Sequence, residues 1–240
     1  MKKIGKVFLS TLLCSSMLMV PNYKVMAQEN SRITNISASG KSSSNHEIIP
    51  DRIEAGTFLI IAAAAGEKVI VQNVIPQHLE AVTSKLKEIG VKMDIVGDSI
   101  IVHGGIDNLK PVDIRTQVYP GFATDLQQPL TALLTQCQGE SQVVETIYPE
   151  RFGHCYQLNS MGADIIQEEA MCFVNGPTPL QGARVYATDL RCGAALIVAG
   201  LMAKGVTEIG NVYHIDRGYD NIDHKLISLG AVITRRQVED

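Results

Sequence analysis

Lys85-Leu86-Lys87-Glu88-Ile89-Gly90-Val91 reads as the end of an amphipathic helix stopped by glycine, and the chain repeats it twice. The other copies are Leu158-Asn159-Ser160-Met161-Gly162-Ala163-Asp164 and Lys225-Leu226-Ile227-Ser228-Leu229-Gly230-Ala231, with the glycines 72 and 68 residues apart. Ahead of each lies a helix-like run of small and apolar residues, at 55–65, 124–139 and 188–205. A repeat of this length is one supersecondary block, which buries its apolar face only against its neighbours.

Within each block the pattern is helix, strand, helix, strand, strand. The first strands are Lys68-Val69-Ile70-Val71, Gln142-Val143-Val144-Glu145 and Thr207-Glu208-Ile209-Gly210. The second helices open at His78-Leu79-Glu80, Arg151-Phe152-Gly153-His154 and Asn221-Ile222-Asp223-His224, with apolar residues at three- and four-residue spacing. After the glycine phrase, the first two copies offer two strand-like runs joined by a turn. These are 99–104 with 109–115, and 171–176 with 180–186. The third copy reaches only Ala231-Val232-Ile233-Thr234 before Asp240, so its block is expected to be incomplete. The first helices, through Leu59-Ile60-Ile61-Ala62 and Ala194-Ala195-Leu196-Ile197-Val198, are apolar nearly all round and belong in the middle of a fold. The expectation is an α/β lobe turned inside out, with helices within, sheets outside and approximate three-fold symmetry.

A sheet short of one strand exposes unpaired backbone. Residues 28–47 are poor candidates to fill it: they read as a flexible linker, and Ser37-Ala38-Ser39-Gly40-Lys41-Ser42-Ser43-Ser44 has no β-branched or aromatic side chain. Only Arg32-Ile33-Thr34-Asn35-Ile36 has strand character. Residues 1–27 are of another kind. Lys2, Lys3 and Lys6 form a positive start, residues 7–20 an apolar run, and Val25-Met26-Ala27 a small-x-small site, the pattern of a secretory signal. The apolar run is short for a bilayer span.

Composition excludes several classes. With 240 residues, 45% hydrophobic, a net charge of -4, no Trp and scattered Lys and Arg, the chain has neither the basic footprint nor the stacking surface of a nucleic-acid binder. Cys14, Cys137, Cys155, Cys172 and Cys192 lack metal-ligand spacing and read as buried small apolar residues, so neither a metal nor a cofactor is expected. His154-Cys155 falls in a predicted helix, where adjacent side chains diverge.

Five ordered motifs carry a family resemblance: residues 49–58 (Ile-Pro-Asp-Arg-Ile-Glu-Ala-Gly-Thr-Phe), 120–127 (Pro-Gly-Phe-Ala-Thr-Asp-Leu-Gln), 145–152 (Glu-Thr-Ile-Tyr-Pro-Glu-Arg-Phe), 187–191 (Ala-Thr-Asp-Leu-Arg) and 214–219 (His-Ile-Asp-Arg-Gly-Tyr). Over residues 48–238 the chain resembles UDP-N-acetylglucosamine enolpyruvyl transferase, the 1-carboxyvinyltransferase of peptidoglycan synthesis, in its C-terminal lobe only. The resemblance implies two inside-out lobes with the active site between them, and UDP-N-acetylglucosamine and phosphoenolpyruvate as substrates. It implies Asp125 as the carboxylate beside the sugar 3-hydroxyl, and Arg191 and Arg217 facing phosphoenolpyruvate. Arg151, Asp189 and Leu190 would belong to the same cleft wall, and Ile147 would meet the uridine nucleotide through its backbone.

Each residue also has a plainer reading. Asp125 and Asp189 both follow Thr at a helix start, where a carboxylate caps the helix; Arg217 beside Asp216 reads equally as a surface pair; Arg52 and Glu54 read as structural groups at the lobe junction. The family's Cys acid and further substrate-holding groups lie on the other lobe, which nothing here matches, and none of the five cysteines inherits that role. Ala123, Pro149, Gly153 and Cys192 depart from the family pattern. In the family the extreme N-terminus crosses back to complete the third block, and here the signal-like sequence stands in its place. The expected function is one lobe of the transferase, without appreciable activity alone. The alternatives are an exported non-enzymatic domain, or one chain of a split enzyme whose partner chain supplies the other lobe; the family is cytoplasmic, whereas the signal-like start implies export.

Overall fold

The computed structural model describes residues 5–10, 23–26, 36–38, 42–44 and 48–237, the first four segments as strands. Cys14, most of the apolar run expected as a signal, its cleavage site at Ala27 and much of the expected linker lie outside the described residues.

In chain order the elements are β1 (Gly5–Ser10), β2 (Tyr23–Met26), β3 (Ile36–Ala38), β4 (Ser42–Ser44), α1 (Arg52–Ala65), β5 (Lys68–Gln72), a 3-10 turn (Pro76–Leu79), α2 (Glu80–Ile89), β6 (Lys92–Val96), β7 (Ser99–His103) and β8 (Ile114–Arg115). There follow α3 (Thr124–Leu134), β9 (Gly139–Val144), α4 (Gly153–Asn159), β10 (Asp164–Glu168), β11 (Met171–Gly176), β12 (Arg184–Tyr186), α5 (Leu190–Met202), β13 (Val206–Gly210), α6 (Tyr213–Asp216), α7 (Ile222–Ser228) and β14 (Val232–Gln237).

The repeated phrase is a helix stop with a definite hydrogen-bond pattern. Gly90, Gly162 and Gly230 have φ of +108°, +95° and +97°, a left-handed backbone that L side chains resist. That turn lets the amide of the next residue reach back five positions: Val91 N to Leu86 O, Ala163 N to Leu158 O, Ala231 N to Leu226 O, at 2.9, 3.1 and 3.0 Å. Leu86, Leu158 and Leu226 are all buried, so one residue in each phrase anchors the helix while its carbonyl ends it.

Three four-stranded sheets follow one plan. Their orders are β6-β7-β5-β2, β10-β11-β9-β8 and β14-β1-β13-β12. In each, the first three strands pair antiparallel and the last pairs parallel. One expectation is made definite and another is corrected. The runs 99–104 with 109–115, and 171–176 with 180–186, are not paired with each other; β6–β7 and β10–β11 form the hairpins, while β8 and β12 cross to the next block's sheet. A parallel partner needs such a crossover, so the second run of each pair serves its neighbour. The third block, incomplete in its own sequence, is complete in space: β1 lies between β13 and β14, with Val7 opposite both Ile209 and Arg235. From the same N-terminal stretch, β2 lies parallel to β5 and takes in the first sheet the place that β8 and β12 take in theirs. Within the expected linker, β3 and β4 pair antiparallel, Ser43 opposite Ser37, despite a composition that offered little packing.

Helices α1, α3 and α5 form the centre. Residues 54–64 of α1, 126–134 of α3 and 192–200 of α5 are buried. Each fully buried Leu, Ile or Phe there contributes about 1.5–3 kcal/mol of apolar transfer, which explains helices apolar on every face. Cys137, Cys155, Cys172 and Cys192 are free and buried, as their pattern suggested. Burial pushes the Cys137 thiol up to about 12. A hydrogen bond donated to Cys172, then burial, raises Cys155, so both thiols stay protonated at neutral pH. Cys155 Sγ does touch His154 Nε2 at 3.7 Å, although adjacent helix positions were expected to diverge. Among the described residues, no helix is long and apolar enough to cross a membrane.

Candidate functional site

The N-terminal ends of α3 and α5 meet. Asp125 is the second residue of α3 and Arg191 the second of α5, and Arg191 Nε lies 3.3 Å from Asp125 Oδ1. Arg151, from the loop before α4, donates from Nη1 to the same oxygen at 2.8 Å and reaches Thr124 Oγ1 at 3.3 Å. Its guanidinium also lies over the Tyr148 ring, 4.4 Å from the centroid. Three motifs far apart in sequence thus converge on one carboxylate. Burial pulls the Asp125 carboxyl upward, but the charges and hydrogen bonds of Arg191 and then Arg151 outweigh it and hold the group below the usual carboxylate range. Asp125 is therefore ionised at neutral pH and half-buried.

The two aspartates separate in role. Asp189 is the N-cap of α5, its Oδ1 accepting from Arg191 N at 2.8 Å and Cys192 N at 3.1 Å. That cap sets the first turn from which Arg191 departs. Asp125 caps nothing: Ala123 occupies the N-cap of α3 without a side-chain bond, so the Asp125 carboxylate is left to the arginines.

Glu145, which opens the third of the five motifs, is the hub behind this wall. Its carboxylate is 1% exposed and accepts four hydrogen bonds: Thr116 Oγ1 at 2.7 Å, Thr124 Oγ1 at 2.8 Å, Ile147 N at 2.8 Å and Tyr148 N at 3.0 Å. One side chain therefore ties the start of α3 to the turn carrying Ile147 and Tyr148. Ile147 and Thr146 border an open cavity of about 580 Å³ together with the 117–121 turn. Tyr119 on that turn packs under Arg52, 5.0 Å from ring centroid to guanidinium carbon, which gives Arg52 a structural contact. Glu54 is buried and pairs with Lys225 Nζ at 2.6 Å, joining α1 to α7.

Arg217 is exposed at the C-terminal end of α6, and the structure does not bring it into the Asp125 cluster. Its neighbour Asp216 pairs not with Arg217 but with Arg235 of β14, which also grips Asp223. Leu190 packs against the next residue: a Cβ on Gly218 would lie 2.5 Å from Leu190 Cδ2, so a side chain there would displace the end of Leu190 from the 217–219 turn. Two residues on, Tyr219 Oη accepts from Arg191 Nη1 at 3.1 Å. Sequence reasoning named Asp125, Arg151 and Arg191 but passed over Tyr219, Thr57 and Glu145, which meet side chains distant in the chain. The signal available was position: Tyr219, Thr57 and Glu145 all stand inside the quoted motifs.

Comparison with known proteins accounts for this arrangement. The family model for EPSP synthase (3-phosphoshikimate 1-carboxyvinyltransferase) matches residues 13–226. UDP-N-acetylglucosamine 1-carboxyvinyltransferase 2 of Bacillus subtilis is 56% identical over 195 residues, covering 81% of this chain and 46% of that protein. The Listeria monocytogenes protein of the same name is 56% identical over 191 residues, 80% of this chain and 45% of that one. Among solved structures, the enolpyruvyl transferase NikO from Streptomyces tendae superposes with a TM-score of 0.73 at 28% identity, covering 80% of this chain and 45% of that one. EPSP synthase from Acinetobacter baumannii shares the fold, with a TM-score of 0.60 at 18% identity, over 79% of this chain and 48% of that one. The chain spans less than half the length of these relatives, as one lobe would. With a family match over most of its length and a three-sheet lobe built to the same plan, the chain belongs to the EPSP synthase family of enolpyruvyl transferases.

Proposed function

We propose that this chain supplies the C-terminal wall of a UDP-N-acetylglucosamine 1-carboxyvinyltransferase site. The observation that carries the reading is the convergence of Arg151 and Arg191 on Asp125. Enolpyruvyl transfer needs a carboxylate to accept the sugar hydroxyl proton, and fixed guanidiniums to hold the phosphate and carboxylate of phosphoenolpyruvate. Asp125 fits the first requirement and Arg191 the second, with Arg217 joining from the 217–219 turn when the donor is present. Arg151, Asp189 and Leu190 shape the wall, and the Ile147 turn, held by Glu145, lies where the nucleotide would rest. In the unliganded wall Asp125 is bound up with two cations and is a weak base. A donor anion drawing on Arg191 frees part of that charge, so substrate binding and base strength rise together.

The acid for the methylene carbon and the remaining substrate contacts come from a second lobe, on whichever chain it is carried. Exposed Val118, Tyr119 and Tyr148 stand beside the wall and offer that lobe an apolar face. Without it, positioning and electrostatic stabilisation are lost, and the chain alone has no appreciable turnover. The test is a titration of phosphoenolpyruvate onto the full chain followed by amide chemical shifts. Shifts clustered at 189–193 and 215–219, absent in Arg191→Ala, support the reading; no saturable shifts there would remove it.

A second reading rests on residues 1–27, whose charge and apolar pattern suit an exported domain with no transferase role. Cleavage after Ala27 would remove β1 and β2, the partners of β13, β14 and β5. The intact mass of the protein from its native host separates the readings: Met1 or its immediate neighbour at the terminus favours the transferase lobe, and a terminus at Gln28 favours export.

A further inference from the structure

The guanidinium of Arg191 is held on two sides. Nε faces Asp125 Oδ1 at 3.3 Å, and Nη1 donates to Tyr219 Oη at 3.1 Å, with the ring centroid 5.6 Å from the guanidinium carbon. The Tyr219 oxygen is in turn 2.9 Å from Thr57 Oγ1, and Thr57 donates to Ile53 O at 2.9 Å. A hydroxyl has one proton, and that of Thr57 is spent on Ile53. Thr57 must then accept from Tyr219, and Tyr219, its own proton used, accepts from Arg191. The hydrogen bonds run one way, from Arg191 through Tyr219 and Thr57 to the backbone of α1. Tyr219 is 2% exposed and Thr57 fully buried, so water offers no substitute. Burial also raises the Tyr219 phenol, keeping the proton that the relay requires.

We propose that Tyr219, tethered by Thr57, is a positioning residue that sets the Arg191 guanidinium against Asp125 and leaves its Nη2 group for an anionic substrate. The substrate's identity rests on the transferase reading above; the positioning itself does not. A tyrosine that only fills the core would lose packing when changed, without altering the electrostatics of Asp125.

The test uses the full chain and the titration of Asp125, followed by carboxyl carbon resonances in wild type, Tyr219→Phe, Arg191→Ala and the double variant. The expected result is a higher midpoint in Tyr219→Phe, and no added rise from that change once Arg191 is alanine. In parallel, Tyr219→Phe weakens phosphoenolpyruvate binding about tenfold, the worth of one hydrogen bond to a charged group. Thr57→Val, close in volume, moves both readouts in the same direction by less, and carries the test if Tyr219→Phe fails to fold. An unchanged Asp125 midpoint in folded Tyr219→Phe, or an equal rise with Arg191 absent, overturns the proposal. If wild type binds no phosphoenolpyruvate, the transferase reading fails while the titration still decides the positioning.

Discussion

Replacing Glu145 with alanine should be among the most damaging single changes in the lobe. The carboxylate is 1% exposed and accepts from two hydroxyls and two backbone amides. Thr116 and Thr124 can turn their hydroxyls, but the amides of Ile147 and Tyr148 cannot follow. Each buried donor left unpaired costs about 1–3 kcal/mol. Two amides plus a share of the hydroxyls, less the relief of removing a buried carboxylate, come to about 4 kcal/mol. For a domain of this size that lowers the melting temperature by about 10 °C. Glu145→Gln keeps one oxygen for the two amides and turns its NH2 toward a threonine oxygen, so it should cost about 1.5 kcal/mol or less. Thermal unfolding of the full chain, with urea titration to give the slope and midpoint, measures both. If Glu145→Ala melts within about 3 °C of wild type, the carboxylate is not the hub described here.

Arg235 grips Asp216 through two nitrogens and also the buried Asp223. Arg235→Ala strands Asp223 and should destabilise the lobe by about 3 kcal/mol, with Arg235→Lys recovering part of it; equal stability of Ala and wild type in urea would refute the clamp. Asp125 binds its proton less tightly folded than unfolded, so its ion pairs stabilise the lobe above the ordinary carboxylate pKa, and that contribution is lost as pH falls through the lower folded value. Asp125→Asn should flatten that part of the acid unfolding profile, and an unaltered profile would contradict the pairing. Added inorganic phosphate should raise the Asp125 midpoint by drawing on Arg191, whereas chloride at equal ionic strength should not. Deleting residues 2–27 should release amide protection along β5, β13 and β14, since four register pairs to β13, six to β14 and four to β5 disappear; unchanged exchange there would mean that β1 and β2 do not hold those sheets.

The parts of the fold legible in the sequence were the local ones. Helices such as α5 announce themselves by being apolar on all faces, and Gly90, Gly162 and Gly230 mark helix ends because few other residues adopt that backbone. The N-terminal strands were not legible, because Gly5–Ser10 overlaps the start of the apolar run that follows the lysines, and such a run suits a leader and a strand equally. Nor does periodicity tell which sheet a short strand joins, so nothing in their own residues sends β8 and β12 to the next block's sheet. Ser42–Ser44 pairs through its backbone, to which side-chain propensity is a weak guide. At the site, the carboxylate and the two arginines stood in motifs, while the residues that aim them did not stand out. The contact between Thr57 and Tyr219 spans 162 residues, and no spacing rule reaches that far. Asp189 and Asp125 look alike in sequence and differ only because one faces free helix amides and the other faces arginines.

The central claim is that this lobe holds one wall of a two-walled site. It is tested most directly by phosphate release from phosphoenolpyruvate and UDP-N-acetylglucosamine, using the full chain alone and mixed with a separately produced N-terminal lobe of the Bacillus subtilis relative. The account predicts no release from the chain alone, and release from the mixture that is lost with Asp125→Asn or Arg191→Ala. Release by the chain alone, or activity in the mixture that survives both substitutions, would contradict it.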